Sequence, residues 1–476
     1  MGTVHAKADE HFKEIPDFAQ KQTIRELPEK EQIKEVDLEG IRARVDKINV
    51  DGLARTKNDI VEDCIRELFK ATDFQDVLLK AHRARVKLDE LGCFKNISVF
   101  IDTSKGPKST PDGLEVTFNV KEHKRLTGGV STQVGNNEGA LLVGMRAPNL
   151  FGRGERVQVE YSYGSKKTTN FNVAFIKPIR GRHRSAFTTS VFQQHSEWPP
   201  SSYKLIERGV LLDYGFHSTS LLKHNVQWEG NIRDLSVLSR SASFDVREQS
   251  GVSLKSALRH VLSVDLRDDI IFPSTGGLFK LTSEVAGLGG DVGFCKNEFF
   301  LQSNYSLMDD VVIQGSLWAG YLTPLSSGHK KIGAADAFYL GGPLSLRGFR
   351  PRGCGPRSAD GDALGARCFW SAGVHLFAPL PFRKGSSKGG LADLFRTHLF
   401  VNAGNVLADL DIAGKSGDSD LIETLLTNLR LSYGLGIALR LGNMARLEVN
   451  YCFPHSYDKN DQTQPGVQFG IGVQFL

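Results

Sequence analysis

Few residues in this 476-residue chain stand where covalent chemistry could be done. Gly434-x-Gly436 comes nearest to a nucleotide loop, but no third glycine and no helix follow it, so it reads as one face of a strand. Asp268-Asp269 and Asp309-Asp310 are paired carboxylates of the kind acid/base work requires, yet both fall at turns, where they read as solvated. His260 and His398 have no cysteine or serine arranged with them as a nucleophile. The six cysteines, Cys64, Cys93, Cys295, Cys354, Cys368 and Cys452, form no Cys-x-x-Cys pair and read as free thiols. No catalytic residue, metal site or cofactor is therefore expected, and the chain does not read as an enzyme. A net charge of +5 from dispersed basic residues gives no nucleic-acid footprint.

Arg347-Gly348-Phe349 carries a different kind of chemistry. It follows Phe338-Tyr339-Leu340-Gly341-Gly342 in the longest stretch without strand patterning, about residues 322–365. A buried guanidinium needs several fixed acceptors, and an adjacent glycine permits the tight turn that delivers it. Such a group would act as a lock between two segments. A surface turn could use the same three residues, so the tripeptide gains weight only from the elements around it.

Those elements are strands. After Arg125 two-residue alternation replaces helical periodicity and continues to residue 476. Leu429, Leu431, Tyr433, Leu435, Ile437, Leu439 and Leu441 alternate with Arg430, Ser432, Gly434, Gly436, Ala438 and Arg440. Leu447, Val449, Tyr451 and Phe453 alternate with Arg446, Glu448, Asn450 and Cys452; Val467, Phe469, Ile471, Val473 and Phe475 alternate with Gln468, Gly470, Gly472 and Gln474. One apolar and one polar face per strand suit lipid outside and a wet lumen inside. Tyr433, Tyr451, Phe453, Phe469 and Phe475 are placed as an interfacial girdle. The mean hydropathy is -0.24 and no apolar run reaches the about 20 residues of a spanning helix, which leaves a barrel open. A soluble β-sandwich would have to bury all these apolar faces in a second layer. The expectation is a transmembrane β-barrel of about sixteen antiparallel strands over 126–476, with 231–253 taken as the extension of one strand.

In front of the barrel, residues 45–125 read as one small α+β unit in the order βααββ. Thr56 and Asp59 give a capping-box signal, and Ile60, Val61, Cys64, Ile65, Leu68 and Phe69 recur as one buried stripe. A second helix over about 74–91 stops at Gly92, and strands alternate around 97–101 and 114–120. Residues 1–44 read as a mobile acidic arm, with ten acidic and five basic side chains between 8 and 40. Met1-Gly2-Thr3-Val4-His5-Ala6 opens neither a secretory signal nor an Arg-rich presequence.

Together these residues resemble the BamA-type family of outer-membrane insertases. In that family a long sixth loop folds into the lumen and sets an Arg-Gly-Phe tip against the inner wall, the role implied for Arg347, Gly348 and Phe349. Asn149-Leu150-Phe151-Gly152-Arg153-Gly154 is similar to the family's turn after the second strand. Pro379-Leu380-Pro381-Phe382 resembles its turn after the thirteenth, and Phe400-Val401-Asn402-Ala403-Gly404-Asn405 its fourteenth strand. Bacterial members carry inward carboxylates where His375 and Asn402 stand. These two are the implied contact wall, and with both neutral Arg347 would dock by hydrogen bonds without the usual salt bridge. Gln468-x-Gly470-x-x-Val473-x-Phe475 resembles the β-signal by which mitochondrial barrels are recognised for insertion. Residues 45–125 resemble a single POTRA (polypeptide-transport-associated) domain. One such domain without a secretory signal, behind an opening Met-Gly-Thr-Val-His, points to the family's mitochondrial branch in animals.

The resemblance implies an insertase that uses no nucleotide and sits in the mitochondrial outer membrane with its front domain in the intermembrane space. The first strand, 126–134, and the last, 466–475, would close the barrel at a weak seam, because Gly128, Gly129, Val130, Ser131, Thr132 and Gln133 offer little packing. Parted, that edge would template an incoming β-signal through backbone hydrogen bonds. The implied partners are unfolded β-barrel precursors, metaxin-like accessory subunits, inner-membrane cristae scaffold proteins and membrane lipid. The alternative is a passive outer-membrane pore or a structural anchor; a pore would have no use for a front domain or an inward loop.

Overall fold

The structure, a computed structural model, describes residues 41–105, 109–135, 138–165, 167–179, 185–308, 310–325, 332–380, 394–408, 427–442 and 445–476. All but the last four residues of the expected acidic arm, and Pro381 and Phe382 of the Pro379 motif, lie outside them.

The front domain contains β1 (Arg44–Asp51), α1 (Asn58–Ile65), α2 (Phe74–Glu90), β2 (Phe94–Thr103) and β3 (Gly113–Glu122). Its sheet order is β1-β3-β2, with β1 parallel and β2 antiparallel to β3. Val61, Leu68, Val77 and Leu88 from the helical side pack on Val116 and Phe118. Two local expectations fail. Thr56 does not cap α1: the N-cap position is Lys57, and the Thr56 amide and hydroxyl both donate to Glu122. Phe69 is exposed, because the chain tightens into a 3-10 turn over Arg66–Lys70 whose three residues per turn rotate it off the stripe.

The barrel sheet has sixteen strands, each paired with the next in the chain: β4 (Thr127–Gly135), β5 (Glu138–Pro148), β6 (Arg156–Gly164), β7 (Thr169–Ile179), β8 (Ser185–Trp198), β9 (Tyr203–His217), β10 (Leu222–Val237), β11 (Gly251–Asp265), β12 (Gly276–Gly290), β13 (Phe294–Met308), β14 (Val311–Pro324), β15 (Cys368–Ala378), β16 (Phe395–Leu407), β17 (Arg430–Leu441), β18 (Ala445–Ser456) and β19 (Gly466–Gly472). Hairpins alone therefore build it. An even count returns both sheet ends to the side of the front domain. The stretch 231–253 is not one extended strand: β10 ends at Val237, a five-residue helix α3 (Phe244–Glu248) intervenes, and β11 starts at Gly251. The Pro379 motif follows the twelfth barrel strand and the Phe400 motif lies in the thirteenth, each one strand earlier than expected. Strands β8 to β14 run 14 to 16 residues, beyond the about 9–11 a tilted strand needs to cross hydrocarbon, so this wall rises past the membrane.

The side chains are distributed inside out. Phe469 is 67% exposed and Gln468 beside it 3%; Tyr433, Leu435, Tyr451 and Val467 face outward while Ser432, Glu448 and Asn450 are buried. Register enforces the separation, pairing Tyr433 with Phe453 and Val449 with Phe469 on one face, Asn450 with Gln468 on the other. A one-residue slip would turn every apolar side chain into the lumen. Phe475 departs from the expected girdle. The last ladder ends at Gly472, the chain turns inward, and Phe475 is buried in space left by Gly470 and Gly472.

Candidate functional site

The long segment between β14 and β15 folds into the lumen and presents Arg347, Gly348 and Phe349 to the inner faces of β17, β18 and β19. Arg347 and Phe349 are fully buried. The Arg347 guanidinium donates through Nε and Nη2 to Glu448 Oε2 at 3.1 and 2.8 Å, and through Nη1 to the Leu476 carbonyl oxygen at 3.2 Å. The rings of Phe400 and Phe475 lie under it, with centroids at 5.2 and 5.6 Å. Gly348 adopts φ +84° and donates its N–H to Gln468 Oε1 at 3.0 Å; a Cβ there would press on Ser432 at 3.1 Å. Gln468 Nε2 in turn donates to the Phe349 carbonyl at 2.9 Å, and the Ser432 hydroxyl donates to the Arg347 carbonyl. One side-chain amide thus holds both ends of the tip. Two segments that are 120 residues apart in sequence, the loop tip and the polar residue of the expected β-signal motif, form a single site.

The missing salt bridge is present. Glu448 on β18 supplies the carboxylate that neither His375 nor Asn402 can, and its other oxygen lies 2.8 Å from Arg446 Nη2. His375 is 3.0 Å from His398, which bonds Asn450, whose amide donates to Glu448, and the His398 Nδ1 itself lies 3.8 Å from Glu448 Oε2. Asn402 is buried in the same wall without a hydrogen bond to the tip. The sequence held the signal: Glu448 is the one carboxylate on the polar face of the last three strands. Removing one partner of such a pair leaves a buried charge uncompensated, at a cost of about 3–5 kcal/mol.

The same loop is pinned to the opposite wall. Asp336 accepts from Arg233 Nη1 on β10 at 2.8 Å and lies 3.5 Å from Lys255 Nζ on β11, all three being buried. Arg352 stacks over Trp198 and Tyr339, with ring centroids at 3.8 and 3.7 Å, and donates to the Tyr203 hydroxyl at 2.9 Å. Sequence reasoning missed these residues, because each lies on a different strand or turn and no local spacing joins them. Beside this strut, a lumen cavity of about 580 Å³ opens against Glu160, Asn172, Glu207, Glu229 and Arg259.

The seam residues are sparsely packed. Among the described residues no ladder joins β4 to β19; the sheet order begins at one and ends at the other. Val130 is exposed, and an added Cβ at Gly129 would meet nothing within 4 Å, while one at Gly128 would meet only the Gly144 carbonyl at 3.7 Å. Ser131 and Thr132 are exposed as well, and Gln133 pairs through its backbone with Ala140 on β5. On the other side Val473 and Phe475 lie beyond the last ladder, so only Gln468 and Gly470 of the β-signal residues sit in paired strand.

The turn between β5 and β6 fixes the front domain to the barrel. Asn149 Nδ2 donates to the Thr56 hydroxyl at 2.8 Å, the Lys57 amide to the Gly152 carbonyl at 2.9 Å, and Arg153 pairs with Asp59 at 3.2 Å. Gly152, at φ +85°, has the Arg55 carbonyl where a side chain would be. Behind Thr56, Glu122 accepts from the amides of Ala54, Arg55 and Thr56. Burial opposes its charge, but these bonds and the Thr56 hydroxyl outweigh burial and hold its carboxyl at about 2.

Comparison with known proteins agrees with this geometry. The Omp85 superfamily domain matches residues 149–475. The sorting and assembly machinery component 50 homolog of Bos taurus is 46% identical over 100% of both chains, and that of Homo sapiens 45% identical over the same shares. Among solved structures, BamA from Haemophilus ducreyi lacking POTRA domains 1–3 superposes with a TM-score of 0.72 at 18% identity, covering 91% of this chain and 85% of that one. A sixteen-stranded sheet turned inside out, with an Arg-Gly-Phe loop docked on its last strands, is thus joined by full-length sequence similarity: the chain belongs to the Omp85 superfamily.

Proposed function

We propose that this protein is the core insertase that folds β-barrel precursors and inserts them into the mitochondrial outer membrane, through a lateral seam between β4 and β19. The observation that carries the reading is the pair of unladdered edges at β4 and β19, next to a last strand whose Gln468 is held by the loop tip. Unpaired backbone groups in hydrocarbon cost several kcal/mol each, so a precursor strand that takes over a pairing is favoured over simple opening. Backbone bonds do most of the binding, which makes the edge tolerant of precursor sequence. No nucleotide is needed. Similarity over the whole length to sorting and assembly machinery components supports the same role.

In this reading residues 45–125 are a POTRA domain in the intermembrane space that receives or releases precursors, while metaxin-like subunits bind the cytosolic face. The same domain tethers inner-membrane cristae scaffold proteins. Arg347, Gly348 and Phe349 keep the β17–β19 wall in an insertion-competent shape. Arg347→Ala should lower assembly of a porin precursor in isolated mitochondria while the barrel itself stays folded; normal assembly by a stable variant would overturn the role of the lock.

A further inference from the structure

We infer that the turn joining β11 to β12 is a latch that holds the Arg347 lock shut from the front-domain rim of the barrel. This turn does not project outward. It leans across the mouth to strands three to six positions further round the sheet. Arg440 Nη2, near the end of β17, donates to Asp269 Oδ2 at 2.7 Å. Asp269 Oδ1 accepts the Ile271 amide at 2.8 Å, and Asp268 Oδ1 accepts those of Ser274 and Thr275 at 2.9 and 3.1 Å, so the turn is braced by its own two carboxylates. Ile271 is buried. The Phe272 ring meets Phe377 of β15 edge-on, with centroids 6.2 Å apart.

The contact runs on to the lock. Arg446 lies over Phe377 and Phe475, at 5.0 and 4.4 Å, with Phe272 at 5.8 Å. Its Nη2 is 2.8 Å from one oxygen of Glu448, and the other oxygen takes Arg347. Phe272, Arg446, Glu448 and Arg347 thus form one continuous stack from the rim to the loop tip. The outer end is weak: the Asp269 and Arg440 side chains are 28% and 27% exposed, and an ion pair in contact with water is readily exchanged. A precursor arriving at the mouth can therefore displace the pair without first breaking the buried one. Phe272, Asp269 and Arg440 are positioning residues; none of them touches the loop tip.

The inference rests on reading Arg347 as a lock, and its test reads the lock without reading insertion. Amide hydrogen exchange of the peptide over 344–353 is followed in the purified full-length protein, as wild type, Asp269→Arg, Arg440→Asp and the double swap. Exchange reports the local opening equilibrium. Each single swap should speed it about fivefold, and the double swap, which restores the ion pair but not the bond from the Ile271 amide to Asp269, should exchange more slowly than either single. Phe272→Ala should speed it in the same peptide while β13 and β14 keep their protection. Unchanged exchange in the single swaps, or a double swap as fast as either single, would overturn the latch. Porin assembly, measured separately, reads the proposed function and can fail on its own.

Discussion

The two edges of the barrel sheet are held in opposite ways. Along β19, Gln468 bonds the loop tip, Glu448 on the adjoining β18 takes Arg347, and the residues after Gly472 turn inward beneath the guanidinium. Along β4, among the described residues, the lumen offers almost nothing: a side chain at Gly129 would meet no neighbour, and Val130 faces outward. The two sides therefore differ in what movement would cost. Parting the seam on the β19 side would disturb a buried ion pair and a two-ended amide clamp, whereas the β4 side gives up little. The soft edge is therefore the first strand, tethered to β5 and close in sequence to the front domain.

The sharpest way to break this contrast is to unmake the clamp. Glu448→Gln removes the counter-charge of Arg347 and Arg446 together and should destabilise the loop-docked barrel by about 3–5 kcal/mol, seen as loss of the compact gel form after incubation at a lower temperature. Next in size, Gln468→Ala removes the bonds to Gly348 and Phe349 and leaves those two groups buried and unpaired. It should cost about 1–3 kcal/mol and expose the segment 344–353 to hydrogen exchange while β17 stays protected.

The contrast was only half legible in the sequence. Alternation over 429–475 gave the inward and outward faces residue by residue, because lipid on one side admits only one register. The glycines of β4 likewise announced a bare edge. What alternation cannot carry is depth and partner choice. Nothing local to Arg347 says that its carboxylate comes from Glu448, 101 residues on, or that His375 stands three hydrogen bonds from that carboxylate. Nor does period two show where a strand stops: Val473 and Phe475 fit the pattern perfectly, yet the ring of Phe475 gains more by filling the space beside Gly470 and Gly472 under two guanidinium groups. Asp336 and Arg352 were invisible for the same reason, their partners coming from distant strands.

The smallest effect belongs to the joint that brings the front domain to the β4 side. Asn149→Ala removes the bond to Thr56 and should loosen the domain by about 1 kcal/mol, measured as faster proteolysis of the link at 123–126. Acid should do the same in the wild type. Glu122 is held at about 2, below its ordinary value near 4.5, so its contribution is full above pH 4.5 and is lost as the pH falls from there through about 2. Proteolysis that rose instead on the alkaline side would remove Glu122 from the joint.

In the proposed function β4 is the template for an incoming strand. A cysteine at Ser131 of β4, or at Glu160 of β6 as the comparison two strands from the sheet edge, is oxidised against cysteines placed along the last strand of a porin precursor arrested during assembly. The account predicts disulfides to position 131 that follow a fixed antiparallel or parallel register, and none to position 160. Crosslinks that form at 160 but never at 131 would mean that the precursor enters the lumen without pairing at the seam, and would contradict it.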